Sequence, residues 1–373
     1  MSWLKWAIGT AFLWAIQSVS TYYFTTITLI NSVAVNTFTR GIGLLCVICY
    51  IVISGLSSKV QKDIGIILST DIFFMIVSSI LMLLGNVFLY MSYAKIPHNK
   101  NASVATGLSN ICIIISTMLS YLFLNGTLSL SSGFGIMVCF IALSIATTGG
   151  DISAIFSHKH TKHNGQHDKN GVGHQDHDHQ DHDHQDHDNQ DHDHQDHDNQ
   201  DHDNQGRKKN KHSNWITYAL YSAVFYGLGM FSTLALAKYG KTLNSISSSM
   251  MIILIEFIIG IIIYFSFKNK SISKTYAVKK YGLHNYSRDL DNLCSNKKFI
   301  LNGILNGICE AGGLFGLLNS YKGVSNGGMA DAITGSYAII QAPLLYAVYN
   351  TPLQMRTMLG LLTQGVGMYF IQK

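Results

Sequence analysis

Residues 174–205 read HQDHDHQDHDHQDHDNQDHDHQDHDNQDHDNQ, a five-residue repeat with almost no apolar side chain. Such a segment cannot bury enough apolar surface to offset the entropy of ordering, so it reads as a disordered loop. It holds ten of the 17 histidines and 12 of the 21 acidic residues. Without it the chain carries 26 basic against 9 acidic residues. That bias suits loops beside a membrane, and no aromatic-basic interleaving points to a nucleic acid.

The sequence on either side of the tract is apolar. Hydrophobic residues make up 47% of the chain and charged residues 13%, which excludes an ordinary soluble enzyme or binding domain. Many apolar stretches run about 20 residues, the length a helix needs to cross a bilayer. Ten spans are predicted: 3–24, 33–54, 71–94, 103–124 and 129–148 before the tract, and 215–237, 246–267, 299–320, 328–349 and 354–371 after it. The first is a retained helix, since its apolar run is too long for a signal peptide. The expected fold is thus an all-α polytopic membrane protein with ten transmembrane helices. Its parts are a first five-helix repeat (1–149), the His/Asp-rich loop (150–213) and a second five-helix repeat (214–373). The loop 268–298 is basic and polar.

An odd number of spans per half forces consecutive halves into opposite orientations, the inverted-repeat plan of secondary transporters. Local matches support it. Thr106-Gly107 pairs with Thr334-Gly335, Gly85-Asn86-Val87-Phe88 with Gly312-Gly313-Leu314-Phe315, and Asn125 with Asn350, each before the last span of its half.

Several residues carry a family resemblance. Trp14 lies in the first span, followed by Ala15 where a glycine is usual. Arg40 lies in the second, within NTFTRGIGLL. Tyr93-Ala94-Lys95 and Ser320-Tyr321-Lys322-Gly323 close the third and eighth spans. Pro343 lies in the ninth, with Ile115 in its place in the first half, and MLGLLTQGVGMYF ends the chain. In these features the sequence resembles the drug/metabolite transporter superfamily, EamA type. The glutamate that the family carries before its last helices is absent, with Asn125 and Asn350 near those places. The resemblance implies ten helices in two repeats and a permease moving a small solute by alternating access.

Ionisable groups inside spans are costly and are candidates for function. The chain's two glutamates, Glu256 and Glu310, fall in the seventh and eighth spans, Asp331 near the start of the ninth, and Arg40 in the second. A buried carboxylate can take a proton or a cation, and Glu310 or Glu256 is the expected coupling residue. Two structural readings stand beside this one: an Arg40–Glu256 ion pair, and Asp331 as a helix cap. Gln17, Asn86, Asn319 and Tyr337 are further pathway candidates, with Asn36, Asn110, Asn306, Ser336 and Gln341 able to line a cavity or bond across helices.

No nucleotide-binding loop, H-E-x-x-H, G-x-S-x-G or intramembrane metal-ligand pair is present, so no enzyme and no resident cofactor are expected. The tract supplies the alternative. Imidazoles at His177, His179, His182, His184, His187, His192, His194 and His197 suit zinc, nickel or cobalt. They motivate a divalent-cation transporter, of magnesium as well as of these metals, or a metal-regulated permease; the perfect five-residue period favours repeat expansion in a tolerant loop over shaped ligand geometry. The expected partners are the bilayer, a small solute, H⁺ and a second copy of the chain.

Overall fold

A computed structural model describes residues 2–97, 100–127, 129–148, 214–240, 244–268, 285–324 and 326–371. The tract and the histidines named above lie outside the described residues. Among the described residues all regular structure is helical. The helices are α1 (Ser2–Tyr22), α2 (Ser32–Ile53), α3 (Ser57–Gly65), α4 (Ser69–Lys95), α5 (Ser103–Ser109), α6 (Cys112–Phe123) and α7 (Leu130–Thr148). After the tract come α8 (Asn214–Tyr239), α9 (Ser245–Lys268), α10 (Tyr286–Ser295), α11 (Lys297–Tyr321), α12 (Gly327–Gly335), α13 (Tyr337–Tyr349) and α14 (Met355–Ile371).

Helix covers each of the ten predicted stretches, but among the described residues seven helical segments are long and apolar enough to cross a membrane: 32–53, 69–95, 103–123, 215–239, 245–268, 297–321 and 327–349. α14 is short, and the inward face of α1 carries buried Thr10, Gln17, Ser18, Ser20 and Thr21, which lower its hydropathy. The polarity is inside out relative to a soluble protein. Arg40, Glu256, Asn306 and Gln341 are buried, while Leu130 and Ile53 are 94% and 86% exposed. An apolar exterior over a polar interior suits lipid.

Two predicted spans are each broken in two. α5 gives way to α6 at Asn110-Ile111, and α12 to α13 at Ser336. At both breaks the bonds tighten to the i→i−3 pattern: Ile113 N donates to Asn110 O, and Ile339 N to Ser336 O. The carbonyls of Ser109 and Gly335 thereby lose their helical donors.

The sequence reading left two short helices unassigned. α3 follows α2, and α10 lies in the basic loop before α11. Each docks on a helix of the other half. Asp63 of α3 accepts from Asn244 N at 3.3 Å and Ser247 Oγ at 2.8 Å, and Asp289 of α10 accepts from Asn31 N at 3.0 Å. Asn31 and Asn244 are themselves the N-caps of α2 and α9, their side-chain oxygens accepting from the first-turn amides.

The tertiary pairings come in matched sets. α4 packs on α8 and α11 on α1; α2 packs on α11 and α9 on α4; α6 packs on α8 and α13 on α1. α2 also packs on α9, and α7 on α14. The α2–α11 approach is closest where two glycines meet: a Cβ on Gly43 would lie 3.2 Å from the Gly307 carbonyl. That contact is one turn from Arg40 on α2 and one turn from Glu310 on α11.

Candidate functional site

Side chains spaced three or four apart share a helix face. On α1 this rule aligns Trp14, Gln17, Ser18 and Thr21, and on α4 it aligns Met82, Asn86, Leu89 and Tyr90. Both stripes line one interior cavity, joined by Ser109, Asn110, Cys112 and Ile113 at the α5–α6 break, Tyr226 and Met230 of α8, Glu310 of α11, and Asp331, Gly335 and Tyr337 at the α12–α13 break. The cavity measures about 40 Å³. A water needs roughly 10–15 Å³ of such space, so this closed form holds a few waters and a solute requires widening.

The two helix breaks meet at the cavity. Asn110 Nδ2 donates to the freed Gly335 carbonyl at 2.6 Å. Irregular backbone at membrane depth is tolerated where it lines a cavity and its polar groups are satisfied.

An ion cluster flanks the cavity. Arg40 Nε lies 2.6 Å from Glu256 Oε2, and Arg40 Nη1 bonds Glu310 Oε1. Gln17 Nε2 donates to the other Glu310 oxygen. The Arg40–Glu256 pair is therefore present, and Glu310 joins it. Guanidinium and amide N–H groups only donate, so both Glu310 oxygens are held as acceptors.

Asp331 is a second acidic centre on the same cavity, with hydrogen-bond partners outside that cluster. It accepts from Ser116 Oγ on α6 and Tyr321 OH on α11, and is 1% exposed. The capping expectation fails: the cap of α12 is Asn326, whose Oδ1 accepts from Gly328 N at 2.9 Å, and Asp331 sits a turn further in.

A matching arrangement without the acid lies just outside the cavity lining, next to Tyr90 and Ser109 in sequence. Tyr93 OH and Thr106 Oγ1 are 2.6 Å apart, Thr106 donates to Gln341 Oε1 at 2.7 Å, and Gln341 Nε2 donates to Tyr93 OH at 3.3 Å. This knot joins α4, α5 and α13, as the other joins α11, α12 and α6. The matched residues are Tyr93 and Tyr321, Thr106 and Asp331, Gln341 and Ser116. The sequence match of Thr106 with Thr334 is thereby corrected, because the bonds pair Thr106 with Asp331. Caps and turns follow suit. Asn101 Nδ2 donates to Thr351 Oγ1, Asn326 Nδ2 donates to Thr127 O, and Asn125 and Asn350 both adopt positive φ, 53° and 51°.

Of the pathway candidates, Gln17, Asn86 and Tyr337 line the cavity, with Asn86 Oδ1 accepting from Tyr226 OH at 2.6 Å. Asn319 does not: it accepts from Ser245 Oγ at 2.9 Å and donates to Phe315 O, a packing role. Sequence reasoning missed Trp14, Thr21, Tyr90 and Tyr226. For Tyr226 a signal was available, since an amphipathic ring in mid-span looks for an internal polar partner, here Asn86. Among the described residues no group of three or more His, Cys, Asp or Glu is placed to hold a metal.

No protein-family model and no curated protein matches the sequence. A solved crystal structure aligns over 99% of this chain and 96% of its own, with a TM-score of 0.55 at 10% identity. At that identity the likeness concerns the fold alone. Fold and exterior together fit a multi-pass helical membrane protein.

Proposed function

We propose that the chain is a secondary transporter of the drug/metabolite type, with ten membrane-crossing helices in two inverted five-helix repeats. The observation that carries this reading is the small polar cavity where two broken helices meet, flanked by two matching hydrogen-bonded knots. Ligand sites in transporters lie where discontinuous helices of two repeats face each other. The inverted arrangement is supported by the docking of the short helices. α3 follows the C-terminus of α2 yet bonds the N-cap of α9, so α2 and α9 run in opposite directions.

In this reading a small solute binds in the widened cavity and crosses as one set of helices rocks against the other. Arg40, fixed by Glu256 and Glu310, sets the charge at the centre, and Gln17, Asn86, Tyr226 and Tyr337 supply polar contacts. Transport is driven by protons taken up by a carboxylate. The test has two stages. Metabolite and metal profiles of cells lacking the protein identify the solute, and flux of that solute is then measured in proteoliposomes under a pH gradient. Saturable flux accelerated by the gradient is expected; absence of flux for every solute that changes in the profile rejects the reading.

The metal reading rests on the tract's histidines. Deleting 174–205 and measuring metal tolerance of cells distinguishes it: unchanged tolerance to every divalent metal leaves the solute reading alone.

A further inference from the structure

We propose that Asp331 is the proton site of this transporter, and that its charge state controls the end of the cavity on the side of the chain termini. The inference rests on the transport reading above and names the residue that couples it.

The argument is one of hydrogen-bond polarity. Glu310 has one oxygen on the Arg40 guanidinium, which can only donate, and the other on Nε2 of Gln17, whose amide would have to turn over to accept. A proton on the first oxygen would face a cation, and one on the second would require that larger rearrangement. Glu256 shares the same guanidinium. Asp331 is different. Its partners, Ser116 and Tyr321, are hydroxyls, which donate to a carboxylate or accept from a carboxylic acid by rotation alone. Both charge states therefore keep their bonds, as a site that loads and unloads a proton requires.

Charge compensation points the same way. Among the described residues no basic side chain pairs with Asp331. The ionisable groups that bear on it are Cys112 on α6 and Tyr321 on α11, and Glu310 of α11, Tyr226 of α8 and Tyr337 of α13 line the same cavity; none of these is cationic. A buried charge without a partner is expensive in hydrocarbon, so the closed form favours the neutral acid, and ionisation favours admitting water. The neutral knot at the other end supplies the internal control. Thr106 occupies the matched position and has no proton to exchange, so only the Asp331 end responds to pH.

Cys112 lines the cavity beside Asp331 and is 3% exposed, which makes it a reporter that needs no solute. The full chain is reconstituted in liposomes with Cys46, Cys49, Cys139, Cys294 and Cys309 replaced by alanine. N-ethylmaleimide labelling is timed at about pH 5.5 and about pH 8, values that bracket the physiological range. Each rate is divided by that of the same protein unfolded in detergent at the same pH, which removes intrinsic thiol reactivity. The expected ratio is higher at the higher pH by on the order of five- to 100-fold, the usual span of a coupling between two sites. Asp331→Asn is expected to label slowly at both values. Ser116→Ala removes one donor to the carboxylate and is expected to move the midpoint to higher pH while keeping the dependence, so the proposal stays testable if Asp331→Asn fails to fold. A pH dependence that persists in Asp331→Asn, a midpoint unmoved in Ser116→Ala, or slow labelling of the parent at both values overturns the proposal. Loss of the dependence in Asp331→Asn, with no solute flux found, would keep the proton site and reject the transport reading instead.

Discussion

The two ends of the cavity are built alike and differ in one respect. Tyr93, Thr106 and Gln341 flank one end, and Tyr321, Asp331 and Ser116 flank the other, each joining three helices through side-chain bonds. The first knot is neutral and the second contains a carboxylate. The lesson is that two like arrangements of side-chain bonds can differ in chemistry. Caps, turns, helix breaks and docking aspartates occur in both halves. Among the described residues the acids of the cavity and the ion cluster, Glu256, Glu310 and Asp331, come from the second half and their arginine from the first; the other buried acids, Asp71 and Asp289, lie on α4 and α10.

The largest effect is expected at the centre, between the two ends. Arg40→Ala leaves Glu256 and Glu310 buried without their cation, and loss of one partner from a buried pair costs about 3–5 kcal/mol. The expected outcome is loss of folded, monodisperse protein in detergent, read by size-exclusion chromatography. Wild-type yield and melting temperature would show that the cluster is not what joins α2, α9 and α11.

Next in size is Thr106→Asp, which makes the two ends chemically alike. An unpaired charge at membrane depth costs roughly 2.5–3.5 kcal/mol on insertion scales. The variant should come close to the parent in stability at about pH 3.5 and fall progressively below it towards about pH 8, because an unfolded carboxyl ionises from about pH 4 while the buried one resists. Thermal unfolding at the two values reads the sign. Equal destabilisation at both would mean that steric fit rather than charge sets this position.

Tyr93→Phe and Tyr321→Phe each remove one hydroxyl. Intramembrane side-chain bonds average about 0.6 kcal/mol, so both losses are small. They should differ in form. The Tyr321 loss grows with pH, because its hydroxyl donates to a group that becomes charged, and the Tyr93 loss does not vary.

Much of this was legible in the sequence. Hydropathy located the helical stretches, and rarity singled out Arg40, Glu256, Glu310 and Asp331, because an ionisable residue in an apolar run is conspicuous. The match of Asn125 with Asn350 was also legible, and both prove to hold the left-handed backbone that asparagine tolerates. Other features were not. The helix break at Asn110 carries neither proline nor glycine, and the one at Ser336 follows a single glycine, Gly335, which a span of this length tolerates, so hydropathy passed over both. The short helices α3 and α10 are polar, and a hydropathy reading passes over them. The pairing of Thr106 with Asp331 is invisible by residue type, since the two positions share a place in the bonding pattern and not a chemistry. Asn319 resembled a cavity residue because sequence does not say which face of α11 it occupies.

The smallest effect is expected from the two turns. Asn125→Gly and Asn350→Gly relieve positive φ, and each should change stability by less than about 1 kcal/mol, by similar amounts. A large difference between them would break the equivalence of the two ends.

The central claim is that the cavity opens at one end at a time. Paired spin labels test it most directly, one pair at Ala94 and Met355 near the Tyr93 knot and the other at Leu130 and Lys322 near the Asp331 knot, all exposed positions. Distance distributions would be measured by pulsed electron resonance in lipid, across pH and with each knot altered in turn. The account predicts opposite changes, with one pair lengthening as the other shortens, and with acid favouring the short distance at the Leu130–Lys322 end. Both pairs lengthening together, or neither changing under any condition, would contradict it.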